Sequence, residues 1–140
     1  MINVRDLRIG NWVYDGECTQ FPMWVQAVGE DYVYLNFEGN EGDVWESTPE
    51  ELQGIPVTSE LLKKIGFKED FALVPFYRYW DKDYKYKLDV DSEYCNSDSK
   101  WSVHVDNGDC STIGCGEFTY VHELQNLVSA IAKEELKIKL

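Results

Sequence analysis

The chain has 140 residues, room for one medium domain or two very small ones. Hydrophobic residues make up 44% and charged residues 28%, a balance that excludes a disordered acidic tail. Lys and Arg number 13 against 26 Asp and Glu, a formal net charge of −13, the reverse of the clustered basic charge needed to neutralise nucleic-acid phosphates.

The opening residues, Met1-Ile2-Asn3-Val4-Arg5-Asp6-Leu7-Arg8, hold no apolar signal-peptide core. No stretch approaches the roughly 18 apolar residues of a membrane span. The expectation is a soluble, cytoplasmic protein whose cysteines (Cys18, Cys95, Cys110, Cys115) are reduced thiols. Five Trp, nine Tyr and six Phe are a heavy aromatic load, which either fills a core or marks a contact surface.

Residues 1–57 carry two basic and eleven acidic side chains, a balance of −9, while residues 58–140 carry eleven basic and fifteen acidic, a balance of −4. This asymmetry predicts two units, 1–57 and 58–140. In the first, β-prone runs cover residues 8–14, 23–28 and 32–37, with a fourth starting at Val44-Trp45 and a short fifth at Ile55-Pro56-Val57. Turns at Asp15-Gly16, Gly29-Glu30-Asp31 and Glu38 to Gly42 separate them, and Pro49-Glu50-Glu51 suits a single helical turn. Short strands at roughly 10-residue spacing predict a small barrel or a strongly bent sheet.

In the second unit Thr58 reads as a helix N-cap and Gly66 as the stop, with Leu61, Leu62 and Ile65 apolar between them. Residues 71–80 form one apolar strand in which Pro75 favours an edge or bulge. Tyr84, Tyr86, Leu88 and Val90 alternate with charged residues, as do Trp101, Val103 and Val105 with polar ones. Asn107-Gly108 signals a two-residue hairpin, pairing Val105 with Cys110 and Val103 with Thr112. Thr119 then caps a helix to about residue 134, with Tyr120, Leu124, Leu127, Val128 and Ile131 on one face and His122, Gln125 and Ser129 on its flank. Leu136, Ile138 and Leu140 alternate with lysines as a terminal edge strand, an edge open to a second copy but guarded by those lysines, so monomer and homodimer both remain open. The predicted class is α+β, a small N-terminal β-barrel-like unit packed on an antiparallel sheet flanked by helices, with the second unit ordered α-β-β-β-β-α and a possible last strand.

Three strings occur in order: Leu7-Arg8-Ile9-Gly10-Asn11-Trp12-Val13, Val57-Thr58-Ser59-Glu60-Leu61-Leu62-Lys63-Lys64-Ile65-Gly66-Phe67, and Tyr120-Val121-His122-Glu123-Leu124-Gln125-Asn126-Leu127. Together they resemble a family of small proteins of unassigned activity encoded by phages, prophages and mobile elements of Bacteroidales bacteria. The resemblance implies an intracellular accessory protein and brings no catalytic residue or ligand with it.

Candidate chemistry is sparse. Cys110 and Cys115, with Cys95, His104 and His122 elsewhere, would be the start of a zinc site, yet an offset of five puts the two thiols on opposite strand faces unless Gly114 or Gly116 makes a bulge. The expectation is therefore no metal and no cofactor. His122 has Asn126 one turn on and would serve as a base, although a flanking histidine more commonly packs or hydrogen-bonds. No nucleophile elbow, phosphate loop or calcium loop is present. Two function classes follow. One is a non-enzymatic binder whose acidic, aromatic-rich surface docks a basic protein, with a DNA mimic or other anti-defence inhibitor as a variant. The other is a small-ligand binder in which Trp80, Tyr84, Tyr86 and Trp101 stack a nucleotide base or sugar; Arg78 as the second unit's sole arginine weighs against nucleotides.

Overall fold

Among the described residues, two five-stranded antiparallel sheets and two α-helices give an α+β arrangement with little helix. The computed structural model describes residues 2–16, 21–71, 75–80, 87–92, 100–106 and 112–140. The chain forms two compact units: Met1–Ile55 with Tyr120–Asn126 and Leu140, and Pro56–Thr119 with Leu127–Lys139.

In the first unit a 3-10 turn, Val4–Asp6, leads into β1 (Trp12–Asp15), β2 (Pro22–Val28), β3 (Val33–Asn36), β4 (Trp45–Ser47) and β5 (Leu52–Gly54), in the order β4-β3-β2-β1-β5. The two outer strands, β4 and β5, are joined by the turn at residues 48–51, closed by the Glu51 N–H donating to Thr48 O at 3.0 Å. A flat sheet would hold them about 19 Å apart, four strand spacings of about 4.8 Å. Five residues cannot reach that far, since even fully extended they span at most about 18 Å. The sheet must curl into a half-barrel. The Trp45 indole Nε1 measures that curl by donating to Asp15 Oδ2 at 3.1 Å, across two intervening strands. Inserted Gln26, where the β2–β3 register shifts, adds a bulge and with it local twist. Inside lie Ile2, Leu7, Val13, Met23, Val25, Val33, Leu35 and Leu52.

The fifth strand forms three residues earlier than Ile55-Pro56-Val57, and the cause is hydrogen bonding. Pro56 has no N–H to give a ladder, and Ile55 O instead accepts from the Val121 N–H at 2.9 Å.

In the second unit α1 (Ser59–Lys64) starts at Thr58, whose Oγ1 accepts from the Leu61 N–H at 3.2 Å, and ends before Gly66 at φ +107°. The strands are β6 (Lys68–Phe71), β7 (Pro75–Trp80), β8 (Lys87–Asp91), β9 (Trp101–Asp106) and β10 (Thr112–Phe118), a meander ordered β10-β9-β8-β7-β6. Three expectations are corrected here. The single strand at 71–80 is a hairpin, with Phe71 opposite Pro75 and an exposed, charged β6 that alternation could not reveal. The β9–β10 hairpin closes three residues later than a two-residue turn predicts: Val105 faces Ile113 and Val103 faces Gly116. A bulge between Gly114 and Gly116 carries Cys115 as the inserted residue, with Gly116 at φ +124°. The terminal residues 133–140 are not a strand, because neither outer strand of this sheet pairs with them among the described residues.

Helix α2 (Val121–Ala132) begins two residues after Thr119, and the Glu123 carboxylate closes its first turn by accepting from the Tyr120 N–H at 2.9 Å. Its buried side is rotated from the expected stripe: Val121, His122, Leu124, Gln125 and Val128 are buried, while Leu127 and Ile131 are half-buried and Tyr120 is exposed. Among the described residues no helix is long and apolar enough to cross a membrane.

Candidate functional site

Asn36 organises the most distinctive surface of the first unit. It is buried at the end of β3, its Nδ2 donates to Gln26 Oε1 at 2.9 Å and to Asp43 O at 3.1 Å, and its Oδ1 accepts from the Phe37 N–H and from Asn40 Nδ2. One side chain thus satisfies both ends of the 37–44 loop, and Gly39 and Gly42, both with φ above +90°, make its reversals. Glu41 and Asp43 stiffen it further by accepting from the Gly39 and Val44 N–H groups.

The loop is therefore preformed, and it presents a mixed surface. Phe21 stands edge-on to Phe37 at 5.0 Å between ring centres. Val44 and Trp45 follow the loop, and Phe21, Val44 and Trp45 are 46%, 47% and 40% exposed. Glu38, Glu41, Asp43 and Glu46 are exposed as well.

In the same unit, α2 meets the start of β1 through neutral side-chain amides. Gln125 Oε1 accepts from the Trp12 N–H at 2.9 Å while its Nε2 donates to Gly10 O at 3.0 Å, so one side chain continues the ladder where β5 has ended. Asn126 Oδ1 accepts from Asn11 Nδ2, and Asn126 Nδ2 donates to Asp6 O. His122 lies beside this network, 4% exposed, its ring stacked on Tyr120 at 5.9 Å. Its buried Nδ1 has no hydrogen-bond partner. Burial holds its pKa below the ordinary 6.5, a shift that the nearby Glu123 and Asp6 carboxylates partly oppose. A neutral, enclosed imidazole in contact with the Tyr120 ring fits packing better than proton transfer with a solvent-borne substrate.

The aromatic ligand candidates separate. Trp101 is on the core side of the second sheet, edge-on to Tyr77 at 5.8 Å, and its Nε1 donates to Val57 O at 3.2 Å. Trp80 is on the opposite face, three residues from Tyr77, with Lys87 Nζ 5.0 Å from its ring centre. Tyr84, Tyr86 and Cys110 fall outside the described residues, and Cys115 is placed only as the bulge residue. Trp80 does line a cavity of about 500 Å³ with Ile65, Tyr79, Glu134, Glu135 and Lys137, where the Tyr79 hydroxyl donates to Glu134 Oε1 at 2.6 Å.

The polar face of the second sheet was not singled out from sequence. The register aligns Arg78, Asp89, His104 and Gly114 in one row across four strands, with Asp91 and Ser102 in the next. Arg78 holds Asp89 in a two-point ion pair at 2.7 and 2.9 Å, and its guanidinium lies 5.1 Å from the Phe76 ring centre. Only strand pairing brings these residues into rows, and the offset between strands is not written in any one of them. Among the described residues no three or more His, Cys, Asp or Glu side chains come together as a metal cage.

Comparison of the chain with protein-family models, with curated proteins and with solved structures finds no match to any of them.

Proposed function

We propose that this is a non-catalytic accessory protein of a phage or mobile element that acts in the cytoplasm by docking a basic protein on the 37–44 face of its first unit. The observation that carries this reading is that Phe21, Val44 and Trp45 are exposed in the unit that holds the hydrogen-bonded 37–44 loop, as are Glu38, Glu41, Asp43 and Glu46. The apolar residues supply affinity; the carboxylates raise the encounter rate with a positively charged partner and repel nucleic acid. The three sequence strings shared with the phage and mobile-element family support the biological setting.

The test is co-purification from lysate of a bacterium carrying the gene, at low and high salt. The reading expects a basic protein that is released as salt rises. It also expects that Trp45→Ala or Glu46→Lys, each folded by circular dichroism, weakens capture at least about tenfold, the loss of an anchoring aromatic or of charge complementarity. Equal recovery by wild type and both variants would refute it.

A second reading, a small-ligand binder, draws support from the 500 Å³ cavity beside Trp80, Tyr79 and Glu134. Its volume is in the range of ligand sites. A thermal-shift screen with nucleotides, sugars and amines tests it, and unchanged melting curves dispose of it.

A further inference from the structure

We infer that the cavity of the second unit binds a small organic monocation with an apolar body, of the arylalkyl ammonium kind. The inference rests on the small-ligand reading above and adds the charge of the ligand to it. Three segments build the wall, and all belong to the second unit: Ile65 at the end of α1, Tyr79 and Trp80 at the end of β7, and Glu134, Glu135 and Lys137 beyond α2. Lys133, at φ +55°, ends α2 in the left-handed conformation that turns the chain away from the helix axis. Glu134 thereby meets β7, where the Tyr79 hydroxyl donates to its Oε1 at 2.6 Å. Ser129, on α2, donates to Glu135 Oε1 at 3.4 Å. The fold thus positions both carboxylates before any ligand arrives.

The site selects by charge at short and at long range. Its wall carries two carboxylates and one ammonium, so one positive charge on the ligand neutralises it, whereas an anion adds to the excess. Aromatic rings attract cations, and Trp80 already has Lys87 Nζ 5.0 Å from its ring centre. At long range the net charge of −13 raises the local concentration of cations and lowers that of anions. Lys137 on the wall and Lys87 at the ring set the upper limit, because a polycation meets both ammonium groups. Ile65, which is buried, and the two aromatic residues give the ligand's body apolar surface to cover.

Three probes of similar shape and different charge test the inference on the whole protein at neutral pH: phenethylammonium, phenethyl alcohol and phenylpropionate. Each is titrated while the backbone amide signals of Tyr79, Glu134 and Lys137 and the indole signal of Trp80 are followed. The inference expects saturable shifts at these positions, with phenethylammonium at least about tenfold tighter than phenethyl alcohol and no response to phenylpropionate. Glu134→Gln keeps the shape and leaves Tyr79 an acceptor, so it should weaken the ammonium at least about fivefold and leave the alcohol unchanged. Equal affinity for ammonium and alcohol at these positions, or a preference for the carboxylate, overturns the inference while the small-ligand reading stands. Silence at these positions with all three probes overturns both. Because the probe series uses the unaltered chain, it decides the question even if Glu134→Gln does not fold.

Discussion

The two sheets solve the same problem, five antiparallel strands in a small unit, with different chemistry. The first curls and is tied by the Trp45 indole on the Asp15 carboxylate and by two neutral amides, Gln125 on the Trp12 and Gly10 backbone and Asn36 inside its loop. Its acidic side chains are left in solvent on the loop face. The second sheet follows a plain meander and pairs Arg78 with Asp89 across adjacent strands, with His104 Nε2 3.5 Å from Asp91 Oδ2. Charge exposed to solvent acts at long range and is screened by salt, whereas paired charge is spent locally.

The largest expected effect comes from cutting the neutral ties. Gln125→Leu keeps the volume but leaves the Trp12 N–H and Gly10 carbonyl without partners, a loss of about 2–3 kcal/mol by chemical denaturation. The contrast also requires locality: hydrogen-exchange protection should fall in β1 while β8 and β9 keep theirs. A uniform loss across both sheets would erase the distinction between the two units.

A smaller effect is expected from the paired charges. Asp89→Asn removes one charge from a pair with Arg78 whose side chains are 25% and 18% exposed, and the expected cost is about 1 kcal/mol at low salt, shrinking as salt rises. Gln125→Leu should show no such salt dependence, so measuring both variants at two ionic strengths sharpens the comparison.

The smallest effect is a pH dependence. Burial lowers the His122 pKa below 6.5, so the unfolded chain takes up the proton first as the solution is acidified. The contribution is fully present above 6.5 and is lost as pH falls through that value. Melting temperature should decline across this window, and His122→Gln should flatten that decline.

Much of the fold was legible along the chain because its signals are local. Thr58 and Gly66 bracket α1 as caps do, and the alternation of Trp101, Val103 and Val105 marks β9. Of the flank residues His122, Gln125 and Ser129, Gln125 reaches a backbone carbonyl, Gly10 O, while His122 Nδ1 has no partner and Ser129 Oγ donates to the Glu135 side chain. Other elements have no local signal. Lys68-Glu69-Asp70-Phe71 is charged and exposed throughout, and becomes a strand only because β7 offers it a backbone partner. Asn107-Gly108 is a strong turn signal, yet the pairing that forms puts residues 107–111 between the strands, because register answers to the whole ladder and to the bulge at Cys115. Leu136 to Leu140 has the right alternation and no strand to pair with.

The candidate sites divide in the same way. Acidity and aromatic content of the first 57 residues are composition, readable at once. That the 37–44 loop is held at both ends depends on Asn36. Asp91 and His104 stand thirteen residues apart and meet only through the β8–β9 register.

By itself, then, the sequence determined the broad α+β class, the caps of α1 and the excess negative charge toward the N-terminus. These are short-range or additive properties, set by neighbouring residues or by simple sums. Tertiary structure alone decided the curl of the first sheet, the late closure of the last hairpin, the separation of Trp80 from Trp101, and the approach of His104 to Asp91. Each depends on which strand lies beside which and at what offset, and a one-residue slip in that offset turns every side chain to the other face.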